Sequence, residues 1–380
     1  MDLEDGLSWQ KELDGYLGRF ASRFHRSETR ESVRNYVRGL LASVPRKNGW
    51  QLAEEVGLSN PHPIQRVVSE AKWSDEGVRQ DLREFVIEAI GYEPGIGVLD
   101  ESGFIKWGKQ SAGVSRQYCG RIGKVDNCQV GVYLGYVTPT GASFLDCQLY
   151  LPRVWCEDHE RCRAAKIPDE VVFQTKPQIA QTMLEQAWNE GIPMQWVIGD
   201  TLYGNSPQLR EAIHHNHRYY VMEIGMQHQV TLPETGQSVK LDSLPYLLSL
   251  HDWEQLCFRV GEQGILAYDW QVQPVILPGD TIGEQRLLIQ RTLDPSPTYR
   301  FYLSNAPIPI PLTDLVAACL SRHSIEDLFG EAKAEVGMGD YEVRHWHGWH
   351  RHMTLVMLAH TFLKLIQHQL REKKDRCRIG

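Results

Sequence analysis

The sequence predicts an α/β protein built on a mixed sheet, and three observations carry that expectation. A helical period runs through residues 1–94. Residues 95–225 read as strand, strand, strand, helix, strand, helix, strand. Residues 226–310 then lose the helical period before helices return over 311–380. These four blocks are the expected domains: a helical N-terminal domain (1–94), the first part of a core (95–225), a β-rich insertion (226–310), and the second part of the core with the C-terminal helices (311–380).

In the first block, arginines fall at 19, 23, 26, 30, 34 and 38, the three- and four-residue steps of one helix face. Eight Lys or Arg stand between 19 and 47, against Glu28 and Glu31 alone. Such a stripe is either a solvated, ion-paired face or a helix that tracks phosphates. Gly49 to Ser59, a Pro61–Pro63 turn and a further apolar-periodic run suggest a small helical bundle, with a helix-turn-helix as one reading.

The period changes near residue 95. Ile96 to Asp100 is a short apolar run ending in an acid, as a buried strand would be. Val130 to Val137 and Ala142 to Leu151 alternate around Thr138-Pro139-Thr140-Gly141, which predicts a hairpin. Gln178 to Asn189 is helical in pattern, Met194 to Gly199 is a strand ending at Asp200, Pro207 to Asn216 is helical, and Tyr219 to Ile224 is a strand. Leu256 to Val260, Ile265 to Val275, Arg286 to Gln290 and Tyr299 to Leu303 read as strands between Gly, Pro and Asp turns. Leu312 to Met338 and His345 to Glu372 are the last helices.

Acidic residues outnumber basic ones by 48 to 40 over 380 residues, a net charge of −8. That balance counts against a generic nucleic-acid coat, whose affinity comes from excess Lys and Arg, but not against a local basic surface. Hydrophobic residues at 42% and charged residues at 23% exclude a mostly disordered or fibrous chain. The acidic, interrupted N-terminus predicts no signal peptide, and no apolar run is long enough to predict a membrane span. Eight scattered cysteines do not form a disulfide framework, so a reducing cytoplasm is the expected location.

A carboxylate at the end of a buried strand is costly unless it is paired or binds a cation, and two on neighbouring strands repel. Asp100 and Asp200 fit that description, although an Asp ending a strand is more often a turn or helix cap. A third acid is offered by the helical stretch Arg322 to Lys333, in which Arg322, Glu326 and Lys333 share a stripe beside the apolar face of Ile325, Leu328 and Phe329. A solvent-side ion-pair ladder is the competing explanation. Glu331 and Glu335 are rival acids less well aligned with that stripe.

Several motifs together resemble the DDE transposases of bacterial insertion sequences, in the seven-oh-one branch related to the insertion-sequence-four superfamily. They are Arg46 to Glu54, Asp100 to Phe104, Gly113 to Gly120, Gly123 to Val132, Phe173 to Pro177, Gly199 to Gly204, Tyr341 to Arg344 and Trp349 to His352. The resemblance spans roughly residues 28–365. It implies an RNase H-like mixed-sheet catalytic core whose acids, catalytic and metal-binding, are Asp100, Asp200 and Glu326. It also implies a β-rich insertion between Asp200 and Glu326. The superfamily's Tyr-x2-Arg-x3-Glu-x6-Lys signature is matched by Arg322, Glu326 and Lys333, while Cys319 stands where the tyrosine would be.

Three carboxylates without a Cys or His partner suit a hard ion, so Mg2+ is expected, as two ions roughly 3.5–4 Å apart, with Mn2+ able to substitute. The expected function is binding of terminal inverted repeats and metal-dependent DNA cleavage and strand transfer, that is, cut-and-paste transposition by a homodimer on double-stranded DNA. Arg322 and Lys333 would hold phosphates. Arg19, Arg23, Arg26, Arg30, Arg34 and Arg38, with the basic loop of Lys106, Lys109, Arg116, Arg121 and Lys124, would contact DNA. A transposase-derived DNA-binding or regulatory protein that does not cleave is the alternative function, and a host nuclease acting on RNA–DNA hybrids is a third. Cys156-x2-His159-x2-Cys162 lacks the fourth ligand and spacing of a zinc site. The histidines at 345, 347, 350 and 352 flank Trp346 and Trp349, for which packing is favoured over base stacking.

Overall fold

The computed structural model describes residues 3–91, 94–248, 253–260 and 264–379. Residues 92 and 93, beside the expected first domain boundary, lie outside the described residues. The described strands are β1 (Gly95–Ile105), β2 (Ser115–Cys119), β3 (Lys124–Thr138), β4 (Gly141–Leu149), β5 (Met194–Gly199), β6 (Tyr219–Ile224), β7 (Gln229–Thr231), β8 (Ser238–Lys240), β9 (Glu254–Val260), β10 (Gly264–Ile276), β11 (Glu284–Arg291) and β12 (Tyr299–Ser304). The chain divides into two compact units that cut across the four sequence blocks. One comprises Met1–Tyr92, Glu101–Thr175 and Asp327–Gly380, the other Glu93–Asp100 and Lys176–Glu326.

The first unit joins the N-terminal helices, an antiparallel set β2-β3-β4 and the long helix Trp346–Ile379. Local signals start and stop its helices. The Asn48 side chain accepts from the Trp50 and Gln51 N–H groups to open the helix Gly49–Glu55, and Ser74 caps Asp75–Ile90. Gly91, at φ 97°, ends the latter. The anticipated hairpin forms with Thr138 paired to Gly141, leaving a two-residue loop. Arg79 and Arg83 are buried on the helix Asp75–Ile90, and their guanidiniums reach Asp146 on β4 at 2.8 and 3.3 Å. Glu76 accepts from both arginines at 2.7 Å, so this buried charge network is satisfied on several sides.

The arginine spacing at 19–38 is not one continuous helix face. The helix Leu3–Gly18 ends before Arg19, Arg23 lies in the 3-10 turn Ala21–Arg23, and only Arg30, Arg34 and Arg38 ride within Ser27–Leu41. Phe20 and Phe24 are both buried, and anchoring them turns the chain between the two helices. The expected helix Leu312–Met338 is likewise two helices, Leu312–Leu320 and His323–Glu335. At the break the Ser321 hydroxyl donates to the Ala317 carbonyl, and Ser324 and Ile325 donate to the carbonyls three residues back. Side-chain competition and a tightened turn therefore interrupt the helix without glycine or proline.

In the second unit β1, β5 and β6 are parallel, β12 lies antiparallel to β6, and β11 and β10 follow antiparallel. Strands β7 and β9 pair with β10, and β8 pairs with β7. The β-rich stretch after residue 226 thus continues the sheet that carries β5 and β6. The helix Leu312–Leu320 buries Leu315, Val316 and Cys319 against Ile198, Val221, Leu288 and Tyr302 from that sheet. On the helix Pro207–His215, Arg210 pairs with Asp280 at 2.9 Å, both almost fully buried, which fixes this helix to the β10–β11 turn. No helix among the described residues is long and apolar enough to cross a membrane.

Candidate active site

The site grows from strand register in the second unit. Leu99 on β1 is paired with Gly199 on β5, and Gly199 with Met222 on β6. The next residue along the chain is in each case an acid: Asp100 within β1, Asp200 just past β5 and Glu223 near the end of β6 therefore stand at one level. Adjacent parallel strands in register carry their side chains to a common face at each level, so the three carboxylates form a row. Asp200 also caps the short helix Thr201–Gly204, its Oδ1 accepting the Leu202 N–H at 2.9 Å. Its ordinary capping role and its place in the row coexist.

Arg322, in the break between the two helices, faces this row. Its Nη2 lies 3.3 Å from Glu326 Oε1 and 4.0 Å from Asp100 Oδ2. One guanidinium nitrogen thus stands near a carboxylate oxygen of each. His323 Nδ1 is 3.8 Å from the other oxygen of Glu326. Burial disfavours the Arg322 charge, but the surrounding carboxylates, Asp100 first and then Glu326, Asp200 and Glu223, hold its pKa above the ordinary value. Burial pushes the Glu223 carboxyl up and Asp200 adds to that, while Arg300 and Arg322 oppose it. Glu223 is the residue that sequence patterning missed. The available signal was an acid near the end of the otherwise apolar run Tyr219 to Ile224, repeating the run-then-acid pattern of Asp100 and Asp200.

The donors around Arg322 are all carboxylate oxygens, the chemistry of a hard divalent cation, and their mutual repulsion requires a positive partner. Among the described residues no group of three or more His, Cys, Asp or Glu stands at metal-holding distance. Arg322 contributes the positive charge near Asp100 and Glu326. The donor set fits Mg2+ in chemistry.

The other candidate residues divide clearly. Glu331 accepts from Lys364 at 2.7 Å and lies 3.3 Å from His360, so this rival acid is engaged in packing within the first unit. Lys333 lies over the Phe329 ring at 5.4 Å. Cys319 is buried and hydrogen-bonded to Tyr302, its thiol pushed up to about 12 by burial. Arg19 pairs with Glu88, Arg23 with Asp81, and Arg34 with Asp14 and Glu31, so half of the arginine series forms intramolecular ion pairs. Arg26, Arg30 and Arg38 remain exposed. Lys106 folds back, its ammonium 3.4 Å from the Tyr341 ring centroid and donating to the Tyr341 carbonyl, and burial lowers it to about 8. Lys109, Arg116, Arg121 and Lys124 are exposed. Trp346 and Trp349 are buried, and Trp349 donates to the Tyr341 hydroxyl at 3.1 Å, so both tryptophans pack. His350 accepts from the Leu149 N–H, and His352 is bonded to the Tyr36 hydroxyl at 2.8 Å. The Cys162 thiol donates to the Trp155 carbonyl.

Acids at one level of adjacent parallel strands beside a guanidinium are a constellation suited to phosphodiester chemistry. Residues 19–239 match the family model described as DDE superfamily endonuclease, more than half of the chain, and the chain belongs to that family. The matched segment contains Asp100 and Asp200; Glu326 lies beyond it. The chain is also 28% identical over 284 residues to "Probable transposase for insertion sequence element IS701" of Microchaete diplosiphon, an alignment covering 71% of this chain and 70% of that protein. Both findings agree with the resemblance carried by the motifs.

Proposed function

We propose that the protein is a transposase that binds the terminal inverted repeats of its element and performs metal-dependent strand cleavage and strand transfer by a cut-and-paste route. The observation that carries this reading is the pairing of Leu99 with Gly199, which sets Asp100 and Asp200 at one level on adjacent strands, with Arg322 standing near both Asp100 and Glu326. Family membership supplies the endonuclease class. The parallel trio β1, β5 and β6 supports an RNase H-like core.

In this reading Asp100, Asp200 and Glu326 hold Mg2+. When bound, the ion supplies a charge that stabilises both the attacking and the leaving oxygen of an in-line displacement at phosphorus. Arg322 sets its guanidinium toward the two non-bridging phosphate oxygens, a bidentate geometry that lysine cannot reproduce. Water attacks first, its proton passing to solvent, and the bond from phosphorus to the 3′-oxygen breaks. The freed 3′-hydroxyl then attacks a target phosphate in the same way. Lys333 and the exposed Arg26, Arg30 and Arg38 of the helical N-terminal block supply phosphate contacts. Cleavage of two ends requires two active sites, hence a homodimer on DNA.

The test uses DNA containing the sequences that flank the gene, with purified protein and Mg2+ or Mn2+. Nicking at the repeat boundary that stops with chelator is expected. Cation-independent cutting, or tight repeat binding without any cutting, would contradict the reading, and the second outcome would favour a DNA-binding regulator.

A further inference from the structure

Within the first unit, the loop after β1 and the hairpin β2–β3 form a surface of distinctive composition. From Ser102 to Val125 the chain carries Lys106, Lys109, Arg116, Arg121 and Lys124 and no acid, in a protein of net charge −8. Trp107 is 100% exposed at the head of this segment, and Tyr118 and Val125 are 58% and 52% exposed. Arg116 is paired with Asn127 and Tyr118 with Val125, so these four residues lie on one face of the hairpin.

The Trp107 loop is fastened to that face. The Asn127 Nδ2 donates to the carbonyls of Lys106 and Gly108, on either side of Trp107, and the Lys106 N–H donates to the Asn127 carbonyl. Arg161 donates to the Lys109 carbonyl at 2.9 Å. A tethered loop thus presents a whole indole to solvent beside a cation–aromatic stripe. Large aromatics exposed among cations suit a partner that offers flat π faces together with negative charge. An apolar protein surface would supply the first without the second.

We infer that this surface engages an uncovered base of DNA, with Trp107 stacking on the base, Tyr118 beside it, and Lys109, Arg116 and Arg121 tracking the adjoining phosphates. The inference rests on the DNA-processing reading above and adds a specific substrate feature. Inside a closed duplex each base face is covered by its neighbours, so Trp107 requires either a base displaced from the stack or the outer face of a terminal pair.

The experiment compares full-length protein on three probes of one sequence at low salt. The first is a duplex sealed at both ends with non-nucleotide linkers, the second the same sealed duplex with one unpaired adenine, and the third an unsealed blunt duplex. The wild-type protein is expected to prefer the second, the third or both over the first by about tenfold or more, the scale of one base–aromatic stack. A preference for the second alone assigns a displaced base, and for the third alone a terminal pair. Trp107→Ala should bring the preferred probe to within about twofold of the sealed duplex, whose affinity should hold, while Trp107→Phe keeps part of the preference. Equal wild-type affinity for all three probes, or a uniform loss in Trp107→Ala, would overturn the stacking proposal and leave DNA binding standing. Absence of wild-type binding to every probe would overturn both. A change in self-association by sedimentation, with DNA preference intact, would assign the surface to a second copy and overturn the proposal.

Discussion

Glu223 on β6 stands level with Asp200, the residue after β5, because Met222 and Gly199, the residues just before them, are paired in parallel register. Asp100 on β1 takes the same level through the pairing of Leu99 with Gly199. Three acids at one height make a negative shelf, and Arg322 is the cation drawn toward it.

Glu223 is therefore expected to tune the site through Arg322. Glu223→Gln should lower strand cleavage on the order of tenfold, about 1.4 kcal/mol in barrier, with DNA affinity unchanged. Single-turnover cleavage with a matched binding curve checks this. Loss as complete as in Asp200→Ala would place Glu223 among the indispensable acids, and no change would remove it from the site.

Arg322 should tolerate no replacement. Both Arg322→Lys and Arg322→Ala are expected to reduce cleavage by about 100-fold or more, because an ammonium cannot offer the planar fork beside Glu326 and Asp100. Full activity in Arg322→Lys would reduce its role to point charge.

The buried network of Arg79, Arg83 and Asp146 predicts a stability effect in the first unit. Asp146→Ala leaves two buried guanidiniums short of a counter-charge and should cost on the order of 3–5 kcal/mol, read by denaturant unfolding. A loss below about 1 kcal/mol would mean that Glu76, together with Asp75, which lies 3.0 Å from Arg79, suffices to balance both arginines.

Acid should destabilise the same unit through two histidines. Burial lowers His350 to about 4 and His352 to about 3, so both are neutral in the fold, whereas an unfolded His titrates near 6.5. The unfolded chain binds more protons across that interval. Stability is therefore fully present above about pH 6.5 and falls as pH drops toward the folded values, by up to about 1.4 kcal/mol per pH unit for each histidine. His352→Gln should flatten the pH dependence of unfolding between those limits. An unchanged slope would show that His352 does not contribute.

Much of this arrangement is legible in the sequence. The strand closed by Asp200 announces itself as an apolar run followed by an acid, and Met194–Gly199 and Tyr219–Ile224 have the bounds that patterning assigns, whereas the strand expected to end at Asp100 runs on to Ile105. The four-residue spacing of Arg322 and Glu326 becomes a real contact. Patterning is local, however, and the rest is tertiary. Nothing in the run around Glu223 says that it shares a level with Asp200, because register depends on the partner strand. The spacing of Arg19 to Arg38 mimics a helix face, but the burial of Phe20 and Phe24 bends the chain there. The break at Ser321 has no glycine or proline to mark it.

The central claim is that Asp100, Asp200 and Glu326 act together on one phosphodiester. Its most direct test is cleavage of end-containing DNA in Mg2+ by Asp100→Asn, Asp200→Asn and Glu326→Gln, each measured beside its DNA affinity. The expected result is loss of cutting in every variant, with binding within about threefold of wild type. Retained cleavage in any one of the three would contradict the account.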